Sequence, residues 1–264
     1  MIRSIDGGAT WAAATTPAND GVNLNAIAFN GTTVIAVADK DGANFTILRS
    51  TDSGANWSDP ASLPGGGENL SAVTFVSPTT LVAVGDNGTI LTSTDAGANW
   101  AAEVSPTTQN LNAVIASGTM VVAIGQRNGA EFTVVRSTDS GDNWSAATTP
   151  AGAGEHLRAI DASSTRMAAV GDNGAIILSE NSGANWSAQS TGTLNNLFGV
   201  AIINPVIAVG QNGVILRSSS GQAASGAGGT VGGGASVAVP FEGEWLLLVA
   251  IAGCGLYYLR PNRR

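Results

Sequence analysis

Cysteine is almost missing from this 264-residue chain, the one copy being Cys254. No disulfide can form within the chain, and no cysteine metal cluster can be assembled. Lysine is reduced to Lys40 alone, and acidic residues outnumber basic ones for a net charge of -8. An acidic chain without a Lys/Arg stripe argues against nucleic acid as a partner. Tyrosine is confined to Tyr257 and Tyr258, and histidine to His156. No Ser/His/Asp set can be drawn up, and no catalytic residue or cofactor is implied. No segment before residue 240 carries the 3.6-residue apolar period of a helix. Asp39, Asp41 and Asn44 lack the spacing and closing Glu of an EF-hand, so no metal site is expected.

What is abundant is glycine, with 35 residues, and repetition. The pattern S-x-D-x-G-x-x-W occurs as Ser50 to Trp57, Ser93 to Trp100 and Ser137 to Trp144. An earlier copy holds Asp6 and Trp11, and a later one ends at Trp186 with Asn181 in place of the acid. The tryptophans at 11, 57, 100, 144 and 186 recur every 42 to 46 residues, the period of a four-stranded propeller blade. β-branched runs precede each copy, such as Phe45-Thr-Ile-Leu48 and Phe132-Thr-Val-Val135, and read as strands. Asp52, Asp95 and Asp139 are suited to accept backbone N–H groups in a tight turn. The following Gly supplies φ > 0, and the Trp starts the return strand. Repeated copies suit a scaffold, whereas an active site is built once.

This pattern resembles the Asp box, or BNR repeat, of sialidase-like β-propellers. The implied fold is all-β, with blades of four antiparallel strands, A to D from the inner strand outward. Sialidase chemistry needs a tyrosine nucleophile, and none lies in residues 1–217. Val84 to Trp100, Val170 to Trp186 and Val209 to Arg217 follow V-G-[DQ]-x-G-x-I and then the box. They resemble propellers of the photosystem II assembly/stability factor type. That resemblance implies an extracytoplasmic, non-enzymatic binding protein, often with arginines on one surface. Here Arg3, Arg49, Arg136 and Arg217 recur, but Thr92 and Leu178 interrupt the series.

Long B–C links (Ala38 to Asn44, Gly125 to Glu131) alternate with short Asp-Asn-Gly ones at 86–88 and 172–174. Residues 41–58 and 128–145 match at 13 of 18 positions, which points to a two-blade duplication. Asn-Gly between apolar runs predicts a type I′ turn. The last unit, Leu197 to Arg217, has three strands and no Trp. The N-terminus has a spare return strand, Thr10 to Thr15. Joining the two predicts a ring of five blades, or else the chain is a fragment of a larger propeller.

Residues 1–217 are thus expected to form the propeller, and 218–239 a Gly/Ala/Ser-rich linker. Residues 240–264 hold the apolar run Trp245 to Leu259 and terminal arginines. As one helix the run spans roughly 22 Å, short of a ~30 Å hydrocarbon core. Pro240, Glu244 and Trp245 resemble a bacterial C-terminal sorting signal. The resemblance implies a transmembrane anchor, an exosortase-type sorting enzyme and an extracytoplasmic or cell-surface location. Export needs a leader, so a segment before Met1 is expected. Residues that vary between repeats on the face opposite the Asp boxes are the binding candidates: Lys40, Asp86, Arg127, Glu131, Arg158 and Asp172. The reading is a non-catalytic propeller with a protein or polymer partner. The alternative is a carbohydrate-binding or degenerate glycoside-hydrolase-like propeller.

Overall fold

The computed structural model describes residues 1–17, 22–152 and 154–218, all of them in strands, turns and links. A short N-terminal hairpin pairs β1 (Ile2–Arg3) with β2 (Ala12–Ala13) across the first Asp box. Blade one holds β3 (Leu24–Asn30), β4 (Thr33–Ala38) and β5 (Ile47–Ser50), and its D strand is a single Arg49–Ser58 bridge. Blade two is β6 (Leu70–Phe75), β7 (Leu81–Gly85), β8 (Ile90–Ser93) and β9 (Ala101–Ala102). Blade three is β10 (Leu111–Ser117), β11 (Met120–Gly125), β12 (Val134–Ser137) and β13 (Ser145–Ala146). Blade four is β14 (Leu157–Ser163), β15 (Arg166–Gly171), β16 (Ile176–Ser179) and β17 (Ser187–Ala188). Blade five is β18 (Leu197–Ile202), β19 (Val206–Gly210) and β20 (Ile215–Arg217). Each sheet is an antiparallel meander in chain order.

The third strands begin later than the β-branched runs predict. Phe45 and Phe132 stay buried ahead of them, while Arg49 and Arg136 are drawn in because they pair with the return strand. The short links make the expected type I′ turn. Asn87 has φ 54 and ψ 31, Gly88 has φ 70, and the Thr89 N–H donates to Asp86 O at 3.0 Å.

Successive blades pack face to face. Ile35, Val37 and Ile47 of blade one meet Leu70, Leu81, Leu91 and Trp100 of blade two. Val82, Val84 and Ile90 meet Leu111, Val121 and Val135. Alternate residues of one strand therefore serve two joints, so the B strands read as continuous apolar runs. Each such side chain withdrawn from water gains about 1.5–3 kcal/mol.

The Asp box, with Asn181 in place of the acid in blade four, pins the outer hairpin of blades one to four. In blade three the Asp139 carboxylate accepts the Asn143 N–H at 3.0 Å and its Nδ2 at 2.7 Å. Ser137 Oγ donates to the same carboxylate at 2.8 Å and accepts the Gly141 N–H at 2.9 Å. The Trp144 indole N–H donates to Gly141 O at 2.8 Å. The box glycine also does something a turn rule does not require. A Cβ on Gly97 would lie 2.4 Å from Ile35 Cδ1 of the preceding blade. Trp57, Trp100 and Trp186 are buried, whereas Trp11 is 61% exposed because the N-terminal hairpin offers it no blade face.

Hydrogen bonds from Asn56 and Asn143, together with the box serines, hold the Asp52 and Asp139 carboxyls at about 2, below the ordinary 3.8. The folded pKa is depressed, so this stabilisation is complete above the ordinary value and is lost as pH falls toward 2. Asn181 keeps the same turn, with its Oδ1 accepting the Asn185 N–H at 2.9 Å, and cannot titrate. An Asp52→Asn/Asp139→Asn variant should therefore melt with a flatter dependence on pH between 4 and 2. Parallel melting curves for variant and wild type would contradict this.

The predicted ring closure is not made. β2 pairs with β1, and among the described residues β20 keeps an unpaired edge. β1 already occupies the third-strand place beside β2, and Ile2-Arg3-Ser4 is a near copy of Leu216-Arg217-Ser218. The hairpin lies instead on blade one, where Met1 and Ala14 pack on Ala36, Leu48 and Trp57. Among the described residues the blades form an open arc. The A strands stack β3 on β6, β6 on β10, β10 on β14 and β14 on β18, and no comparable packing joins β18 to β3.

Candidate functional site

The A–B turns and Asp boxes share one end of the blades. The Ser53 N–H bonds Thr32 O, and the Ser140 N–H bonds Thr119 O. Arg49 and Arg136 work at this end too. Their Nε groups donate to Ala96 O at 2.8 Å and Ser182 O at 3.0 Å, each in the next blade's box. These recurrent arginines staple blades together instead of forming a patch.

The six variable candidates lie at the other end, on the rim of B–C links and D–A connections. An inter-blade ladder organises that rim. From blade two onward, the residue just ahead of the A strand accepts a backbone N–H from the B–C link of the preceding blade. Asn69 Oδ1 takes the Lys40 N–H at 3.0 Å, Asn110 takes that of Asn87 at 2.9 Å, and Asn196 takes that of Asn173 at 3.0 Å. His156 does the same with a ring nitrogen, Nδ1 accepting the Arg127 N–H at 3.2 Å. The only histidine therefore fills a rung that asparagine fills elsewhere.

Lys40 and Arg127 engage partners across a blade joint, whereas Asp86, Glu131 and the Arg158–Asp172 ion pair are held within their own blades. Lys40 Nζ is 3.1 Å from Glu68 Oε2, and Asn87 Nδ2 donates to the other oxygen at 3.1 Å. Those two bonds, the lysine first, lower the Glu68 carboxyl below its usual range. Asp86 accepts Asn69 Nδ2 at 2.9 Å. Arg127 stands 3.8 Å from Glu155. Glu131 closes the long link of blade three through paired backbone bonds with Asn128. Arg158 and Asp172 come together as a bidentate pair, with Nη2 donating to Oδ2 at 2.9 Å. The bond from Asp172 raises the Arg158 guanidinium further above its ordinary value.

Arg158 does not pair with Asp161, which instead accepts the Ile202 N–H at 2.7 Å and ties β14 to β18. The Arg158 guanidinium also sits 5.7 Å from the centre of the Phe198 ring. Sequence reasoning missed Glu68 as a rim member, although its place directly ahead of the ladder residue Asn69 was the available sign. The rim presents Lys40, Arg127 and Arg158 among Asp86, Glu131, Glu155 and Asp172, with each of the three cations in an ion pair. Among the described residues, no group of three or more His, Cys, Asp or Glu is placed to hold a metal ion.

The family model described as Photosynthesis system II assembly factor YCF48 matches residues 1–129 and 67–229. The chain belongs to this family. A solved YCF48 from Cyanidioschyzon merolae is 25% identical, with a TM-score of 0.46, over 58% of this chain and 54% of that one. The chain thus spans about half the length of that YCF48. The WD40 β-propeller domain of Doa1 is 12% identical over 75% of this chain and 66% of that one, with a TM-score of 0.54. The GH74 xyloglucanase of Xanthomonas campestris is 16% identical over 71% and 34%, with a TM-score of 0.55. These last two share the propeller fold alone. Among curated proteins the sequence has no match.

Among the described residues no helix is long and apolar enough to cross a membrane. All of the expected linker but Ser218, the apolar run Trp245 to Leu259 and the sorting residues Pro240, Glu244 and Trp245 lie outside the described residues.

Proposed function

We propose that this YCF48-family chain is a non-catalytic, protein-binding propeller of the assembly-factor kind, whose working surface is the B–C rim. The observation that carries this reading is the family match across residues 1–229. The rim supports it, because Lys40, Arg127, Arg158 and Asp172 take part in exposed or half-exposed ion pairs there, with Asp86 beside them, while the other end is given over to scaffold hairpins. The proposal extends to location. Pro240, Glu244, Trp245, the apolar run and the terminal arginines support a tail read by an exosortase-type enzyme, with the propeller displayed outside the cytoplasm.

The glycoside-hydrolase-like reading makes a different prediction. Four of the five propeller tryptophans have their indole N–H bonded into an Asp box, so they are poor sugar platforms. On a glycan array the chain should bind no sugar specifically. Sugar binding that disappears on Arg127→Ala and Arg158→Ala would replace the protein-binding reading.

A further inference from the structure

Met120 opens β11 at the Asp-box end, half-buried against the apolar cluster that holds Val122, Met167 and Trp186 in the joint between blades three and four. Its Sδ lies 3.1 Å from Arg136 Nε, whose one hydrogen also goes to Ser182 O at 3.0 Å. That N–H is therefore shared between a weak thioether acceptor on its own blade and the carbonyl that ties blade three to the box of blade four. In the duplicated blade one, Thr33 holds the place of Met120, and Arg49 Nε donates to Ala96 O at 2.8 Å. Met167, by contrast, is 0% exposed and lies under a box glycine, where a Cβ on Gly183 would stand 3.2 Å from its Sδ.

We infer that Met120 is a site of oxidation by peroxide, and that Arg136 turns its oxidation into a loosening of the joint between blades three and four. The thioether sulfur attacks one peroxide oxygen and the O–O bond breaks. An S–O bond forms, the sulfur is oxidised by two electrons, and the released hydroxide takes the remaining proton and leaves as water. The new sulfoxide oxygen is a far stronger acceptor than the thioether it replaces. It takes the Arg136 Nε–H, and Ser182 O loses its partner. The polar S=O also stands against apolar neighbours, which acts in the same direction. With Thr33 in place of a thioether, the Arg49 staple between blades one and two is untouched by the same treatment.

Hydrogen peroxide treatment of the full 264-residue chain tests this by peptide mapping and backbone hydrogen exchange. In the folded chain Met120 should form sulfoxide at least about tenfold faster than Met167, and urea should erase the difference. Exchange in the blade-four box, residues 179–186, should quicken several-fold on oxidation, while the blade-two box, residues 93–100, keeps its rate. Met120→Leu is close to volume-conserving, and its blade-four box should exchange at the same rate with and without peroxide. Met120→Thr, which copies Thr33, repeats that control if leucine disturbs the fold. Equal oxidation of Met120 and Met167 in the folded chain overturns the inference. So does an oxidised wild type whose blade-four box exchanges as slowly as before, or a variant without Met120 that quickens as wild type does.

Discussion

Gly85→Ala should destabilise the protein by about 3 kcal/mol or more, the upper end of overpacking costs. Gly85 ends β7 with φ -166, so its backbone asks for no glycine. Space does. A Cβ there would lie 2.0 Å from Asn69 O, where β6 bulges between Leu70 and Ala72. Neither partner is a side chain that can swing aside. The same crowding recurs at Gly125, Gly171 and Gly210, each with the backbone oxygen of the ladder residue at 1.9–2.1 Å. This explains the glycine that closes the B strands of blades two to five, and it places the rim ladder directly on the inner strand. Gly118→Ala is the control. Gly118 has φ +62 with nothing within 4 Å, so alanine there costs only the left-handed backbone penalty of about 1–2 kcal/mol. Urea denaturation of both variants decides the matter, and equal costs would contradict the close-approach account.

Leu111→Ala should cost about 2–5 kcal/mol, the range for emptying a buried leucine site. Leu111 is 0% exposed between blades two and three, packed among Val82, Val84, Val121 and Val135. Leu24 holds the same repeat position at the open end of the arc and is 46% exposed. In dilute, monomeric protein Leu24→Ala should cost under about 1 kcal/mol, because little transfer from water is undone. Urea melts of the pair measure the difference. Similar losses at both positions would mean that the β3 face is covered and that the arc closes on itself.

Most of the architecture was legible because the repeat states it many times. The box acids, glycines and tryptophans at 42- to 46-residue spacing announce stacked hairpins, and the alternating links announce a doubled blade pair. The three strands of the last unit were also plain. Ring closure was not. The sequence showed a spare return strand at Thr10 to Thr15, but not that β1 would hold the adjoining place against β20. The purpose of the box glycine was half visible, since its positive φ follows from a turn while its contact with Ile35 depends on a neighbouring blade. The rim charges were legible as variable positions. Their partners Glu68, Glu155 and His156 were not, because the ladder joins residues 23 to 29 apart across a blade joint.

The central claim is that partners dock on the B–C rim while the Asp-box end is scaffold. Site-specific photo-crosslinking tests it most directly, with a benzophenone side chain placed at Arg127 on the rim or at Thr94 in an exposed Asp-box hairpin of the full chain in its native host. Discrete protein adducts should form from position 127 and not from position 94. Adducts from 94 alone, or none from 127 with the protein folded and present, would contradict the account.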